Sequence, residues 1–154
     1  MNWYFIILTV TVTFFFMEFM AWFTHKFIMH GFLRILHKDR HYPTGNKLQL
    51  NDLFALMFAI PSIILIILGS ISGDDLKLWI GIAIAAYGLA YFLLHDTLVH
   101  QRTPLLKNLI NRYFRTVISA HLDHHSGKAN YGFIIMFPWK YFREEYQQDR
   151  NFKY

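Results

Sequence analysis

The stretch Asn2–Phe23, NWYFIILTVTVTFFFMEFMAWF, is apolar almost without interruption and holds one charged residue, Glu18. As a helix it is about 33 Å long, enough to cross the hydrocarbon core of a bilayer. Its first positive charge, Lys26, follows the run, and neither a basic leader nor a small-residue cleavage site marks it as a signal peptide. The stretch is therefore expected to be a retained transmembrane helix. Two more apolar runs follow, at 53–70 and 78–94, and complete a set of three expected spans (about 2–23, 53–70 and 78–94).

Composition agrees. Hydrophobic residues make up 55% of the 154-residue chain and charged residues only 16%, too apolar for an ordinary soluble domain. The length suits one domain, here 1–154. Cysteine is absent, which excludes disulfides, iron–sulfur clusters and thiolate zinc sites. The net charge of +5 does not call for nucleic acid, because the basic residues follow a membrane topology. The loop at 70–77 carries only Lys77, whereas 24–52 carries Lys26, Arg34, Lys38, Arg40 and Lys47. Nine more lie beyond His100. The positive-inside rule then puts the N-terminus outside and both basic regions on the cytoplasmic side of the inner membrane. Trp3 and Trp79 suit the outer interface, Trp22 and Trp139 the inner one.

Residues 103–120 resemble no fourth span, since Lys107, Arg112 and Arg115 interrupt them. Their apolar positions, 105/106, 109/110, 113/114 and 117/118, form the stripe of an amphipathic helix lying in the interface. One further step along that stripe reaches His121, then His124 and His125, which share a helix face at i, i+3 and i+4.

The other six histidines fall into three groups: His25 and His30, His37 and His41, His95 and His100. All four groups follow an apolar run or stripe on the expected cytoplasmic side. Such a set suits metal binding better than nine separate core histidines. Nine imidazoles exceed what one ion takes, and two ions with open positions fit the number. His37 and His41 share a face at i, i+4. The spacing of five between His25 and His30 turns the second ring about 140° from the first on a straight α-helix, so those two rings flank a site unless the helix bends. Asp39, Asp96 and Asp123 lie inside the clusters and are candidates either to ligate or to orient a ligand imidazole, and Glu18 either orients an imidazole or is a buried carboxylate paired with another polar neighbour. Asp52 is a candidate cap for the second span. Imidazole ligands suit zinc, iron or copper, but zinc performs no redox chemistry.

Several segments, in this order and spacing, resemble the bacterial non-haem β-carotene hydroxylases of the fatty acid hydroxylase and sterol desaturase superfamily. They are His25-Lys-Phe-Ile-Met-His30-Gly31-Phe32-Leu33, Leu36-His37-Lys-Asp39, Asn51-Asp52-Leu-Phe-Ala55, Ala86-Tyr-Gly-Leu-Ala-Tyr-Phe92, His95-Asp-Thr-Leu-Val-His100-Gln-Arg102 and Ala120-His121-Leu-Asp-His124-His125. The resemblance implies an all-α integral membrane protein with about three transmembrane helices, an interfacial helix over about 103–120 and a histidine-rich dimetal site. It implies a di-iron monooxygenase that uses O2 to hydroxylate the β-ionone rings of β-carotene, giving zeaxanthin by way of β-cryptoxanthin. The metal ligands would be His25, His30, His37, His41, His95, His100, His121, His124 and His125, with zinc able to replace iron on the purified protein. The carotenoid would come from the lipid phase, and electrons from ferredoxin and its reductase. One position departs from the family pattern: Arg40 stands where a histidine is expected, and a guanidinium does not ligate metal. A related membrane fatty acid or sterol hydroxylase or desaturase is the alternative, and a metal-binding or transport protein a more distant one. A transporter would place its ligands near the bilayer midplane.

Overall fold

The computed structural model describes residues 1–41, 49–100, 111–126 and 139–142, and among these every regular element is a helix. Three helical runs are long and apolar enough to cross a membrane: Trp3–Phe32, Leu50–Ser72 and Asp75–Val99. Each outlasts the hydropathy run that announces it. Hydropathy falls at the first polar side chains, whereas backbone hydrogen bonding continues until a cap or a glycine stops it. The chain divides into two compact units, Met1–Leu89 and Ala90–Tyr154.

In the first unit, helix α1 (Trp3–Phe23) starts at Asn2, whose side chain accepts the Tyr4 N–H at 3.3 Å. Only Met17, Glu18 and Ala21 of α1 are buried, while Phe5, Leu8, Val12 and Phe15 are exposed. An apolar surface of this extent fits a lipid solvent rather than water. The one carboxylate in the run is satisfied internally, as a low-dielectric surrounding requires. The Tyr87 hydroxyl donates to Glu18 Oε2 at 2.8 Å, and Phe14 packs its ring edge-on to Tyr87.

Helix α1 widens into a π-helical turn, Thr24–Phe32, which ends where Gly31 leaves helical geometry at φ −96°, ψ −123°. Helix α2 (Arg34–His41) follows, and a 3-10 turn at Leu50–Asp52 then leads into α3 (Leu53–Ser72). Asp52 caps the run Leu50–Ser72 at its start, accepting the Gln49 N–H at 3.0 Å in a reciprocal capping box with Gln49, rather than at the first turn of α3 itself.

Helices α3 and α4 (Asp75–Tyr91) form a tight hairpin within the first unit. Its turn is Gly73–Asp74 rather than the longer polar loop expected at 70–77. Gly73 adopts the left-handed conformation, φ 66°, that closes helices cheaply only at glycine. Asp74 then caps α4 by accepting the N–H groups of Leu76 and Lys77 at 3.1 and 3.2 Å. Further along, a Cβ on Gly81 would lie 2.9 Å from both Ser62 O and Ile66 N. The glycine lets two backbones meet, and the Ser62 hydroxyl donates to Gly81 O at 2.7 Å across the gap.

In the second unit the run ends in another π-helical turn, Phe92–Val99. Its Leu98 and Val99 form a core with Val117 and Ile118 of α5 (Arg112–His125), with Leu94, Tyr113 and Phe114 packed around it. Helix α5 begins at Asn111, an extended residue whose side chain accepts the Phe114 N–H at 3.0 Å. The anticipated helix over 103–120 is thus observed only from Arg112, and 103–110 lie outside the described residues. The apolar stripe holds: 113/114 are half-buried and 117/118 buried. But Thr116, Ser119, Ala120 and Asp123 are buried too, so the C-terminal half of α5 is enclosed on more than one face.

Candidate metal centre

Each π turn carries a histidine pair at a spacing of five. A π-helix closes hydrogen bonds from i to i+5, so residue i+5 returns over residue i. The Leu33 N–H reaches Ile28 O at 3.0 Å, and the His100 N–H reaches His95 O at 3.0 Å. The rings of His25 and His30 consequently lie 5.0 Å apart between centroids, and those of His95 and His100 lie 4.6 Å apart. For His25 and His30 this corrects the α-helical expectation of rings 140° apart: the wider turn brings them together.

A third imidazole joins each pair. In the first unit His37 of α2 lies 5.0 Å from His25 and 4.8 Å from His30, and the three offer ligand nitrogens within 4.8 Å of one another. In the second unit His121 of α5 lies 4.8 Å from His95 and 4.7 Å from His100, again with ligand nitrogens within 4.8 Å.

Nitrogen chemistry tests the fit. His121 Nε2 is 3.1 Å from His100 Nε2 and 2.8 Å from His125 Nε2. A ring nitrogen carries either one proton or one lone pair, so His121 Nε2 cannot make both contacts as good hydrogen bonds. An ion with metal–nitrogen bonds of about 2.0–2.1 Å sets its ligand nitrogens about 2.9–3.4 Å apart, and takes a lone pair from each. The 3.3 Å between His25 Nε2 and His37 Nε2 falls in the same range. The donor sets fit divalent transition metals.

The amino-acid sequence has known relatives. A family model described as fatty acid hydroxylase matches residues 10–143. The chain belongs to the fatty acid hydroxylase family. It is 41% identical over 143 residues to a β-carotene hydroxylase of Pantoea ananas, covering 90% of this chain and 81% of that one. It is 42% identical over 123 residues to a β-carotene hydroxylase of Pseudescherichia vulneris, covering 77% and 69%. A β-carotene hydroxylase of Paracoccus sp. (strain PC1) is 38% identical over 137 residues, covering 85% and 84%. No solved structure matches the chain.

The remaining site residues of this family member are placed as follows. His124 is buried on α5, its ring 5.9 Å from that of His121 and 5.7 Å from that of His125. Asp39, Arg40 and His41 belong to α2, and their side chains lie outside the described residues. Asp96 Oδ1 accepts from His95 Nδ1 at 3.1 Å, the anticipated carboxylate–imidazole pairing. Asp123, deeply buried on α5, accepts the Tyr141 hydroxyl at 2.8 Å. Arg112 donates to Phe142 O at 2.7 Å, so the short turn Trp139–Phe142 is tied to α5 at two points.

Four contacts around the site escaped the sequence reading. The Asn51 side chain accepts from His37 Nδ1 at 2.6 Å, Tyr91 stacks on His95 at 4.6 Å, and Tyr87 and Tyr141 serve Glu18 and Asp123. No spacing rule links Asn51 to His37, fourteen residues away. The tyrosines carried one available signal: a hydroxyl in a strongly apolar segment needs a buried acceptor.

Proposed function

We propose that this chain is a β-carotene 3-hydroxylase, one membrane-embedded domain over residues 1–154, acting at a di-iron centre held by the nine histidines. The observation that carries the reading is the pair of imidazole triads, each built from a π turn and a neighbouring helix, in a chain similar over most of its length to proteins named β-carotene hydroxylase. His41, His124 and His125 are the other three of the nine proposed ligands. Three crossings near 2–23, 53–70 and 78–94, with the 103–120 segment in the interface, put the N-terminus outside and the histidines on the cytoplasmic side of the inner membrane. The distribution of Lys and Arg supports that orientation.

Iron, when bound, supplies the activation of dioxygen that insertion into an unactivated C–H bond requires. One oxygen atom enters the C3–H bond of the β-ionone ring, and the other leaves as water with two protons and two electrons. Ferredoxin and its reductase suit the electron supply. The chain's own residues do the rest. The two π turns aim paired imidazoles inward. Asp96 accepts the Nδ1–H of His95 and leaves its Nε2 lone pair for a metal. The exposed apolar faces of the long helices meet the same lipid phase that dissolves a carotenoid.

The test is expression in cells that accumulate β-carotene, with pigment analysis and His124→Ala as control. β-Cryptoxanthin and zeaxanthin from the unaltered chain, absent with the control, are expected. Arg40→His runs beside them, since Arg40 occupies a usual ligand position. Unchanged β-carotene in both the unaltered chain and Arg40→His would overturn the reading in favour of a lipid-modifying relative in the same family.

A further inference from the structure

His37 is held from behind by an amide. Its Nδ1 lies 2.6 Å from Asn51 Oδ1, both side chains are buried at 5% exposure, and its Nε2 faces His25 Nε2 at 3.3 Å. Asn51 sits in the 3-10 turn Leu50–Asp52, which is itself braced at both ends: Gln49 N–H donates to Asp52 Oδ2 at 3.0 Å, and Asp52 N–H to Gln49 O at 2.9 Å. The acceptor is therefore rigidly presented. His95 of the other triad has a carboxylate in the equivalent place, Asp96 Oδ1 at 3.1 Å from its Nδ1.

We propose that Asn51 is a positioning residue for metal binding: its Oδ1 accepts the Nδ1–H of His37, fixes that tautomer and directs the Nε2 lone pair into the first triad. The inference rests on the reading of the triads as metal sites. An imidazole has one proton to place, and an oxygen acceptor at Nδ1 keeps that proton off Nε2. The two triads are then unequal. A neutral amide leaves His37 a weaker electron donor than a carboxylate leaves His95.

The full-length protein in detergent, stripped of metal, is titrated with Co2+ and followed by visible absorption. The unaltered chain is expected to take two ions. Asn51→Leu, similar in size but without an acceptor, should weaken one of the two by about 10–100-fold and leave the other unchanged. Asn51→Asp, which accepts but cannot donate, should keep both ions and shift the absorption of one only. Retention of both at unaltered affinity in Asn51→Leu would overturn the proposal. So would weakening of one ion in Asn51→Asp, because Asn51 would then be donating to His37 or acting by packing alone. If Asn51→Leu does not fold, Asn51→Asp decides by itself: tight binding with one shifted band set supports the role, and its absence overturns it. An unaltered chain that takes no Co2+ would overturn the metal reading and this inference together.

Discussion

The backbone N–H of His100 donates to the carbonyl of His95, five residues back, at 3.0 Å. That one bond replaces the α-helical partner at position 96 and turns a spacing that separates two rings into one that pairs them. The same device recurs at His25 and His30, where the Leu33 N–H reaches Ile28 O. A π turn sacrifices favourable helix geometry, and the structure has it at both histidine pairs, where it shapes a site.

The two triads use different histidines, so their metal positions should be separable. His121→Ala removes the nitrogen at the centre of the second group, and His25→Ala removes one from the first. Each variant is expected to bind one metal equivalent fewer than the unaltered chain, and the double variant to bind none tightly. Elemental analysis of the purified protein measures this. Loss of all metal in either single variant would show instead that the two positions form only as a unit.

The α3–α4 hairpin depends on Gly81. Gly81→Val places a side chain against Ser62 O and Ile66 N, which are backbone atoms that a rotamer change cannot move. Destabilisation of about 1–3 kcal/mol is expected from such overpacking. Gly88→Ala is the control, since a Cβ there meets nothing within 4 Å, and it should be neutral or slightly stabilising. Thermal unfolding in detergent compares the two, and equal melting points would refute the close approach.

At the other end of the hairpin, the Asp74 carboxyl is held below the ordinary carboxylate range, first by the hydrogen bond from the Lys77 side chain and then by the Lys77 backbone N–H. A group whose pKa is lower in the folded state stabilises above its unfolded value, and that stability is lost as pH falls through the folded value. Asp74→Asn keeps the cap but not the charge. The unaltered chain should therefore melt slightly higher than Asp74→Asn at neutral pH, with the gap closing on acidification. Added salt should shrink the neutral-pH gap as well, since the pair is exposed. A gap independent of pH would exclude the ionised carboxylate as its source.

Much of the site was legible from residue positions alone. His121, His124 and His125 sit on α5 because an apolar stripe at helical spacing leads into them, and 117/118 of that stripe are buried as the period requires. Asp96 was visible as a carboxylate inside a histidine cluster, but that it accepts from His95 Nδ1 is a finding of the structure. Asn51 was not, because its bond to His37 joins α2 to the turn before α3 and no local period relates them. Glu18 was visibly anomalous in an apolar run, but its donor, Tyr87, comes from another helix 69 residues on.

What the amino-acid sequence determined by itself is what each segment decides alone. Hydropathy over a window sets three helices long enough for a bilayer, and charge bias between loops supplies the expected topology. Histidine count and spacing require metal more readily than a core. The tertiary structure decided the π register, the closing of each triad by an imidazole from another helix, and the amide behind His37. The reason is energetic. A π turn differs from an α turn by one residue of hydrogen-bond offset, and a side chain's partner across the fold is chosen by packing. Both are settled by contacts that exist only once the helices have come together.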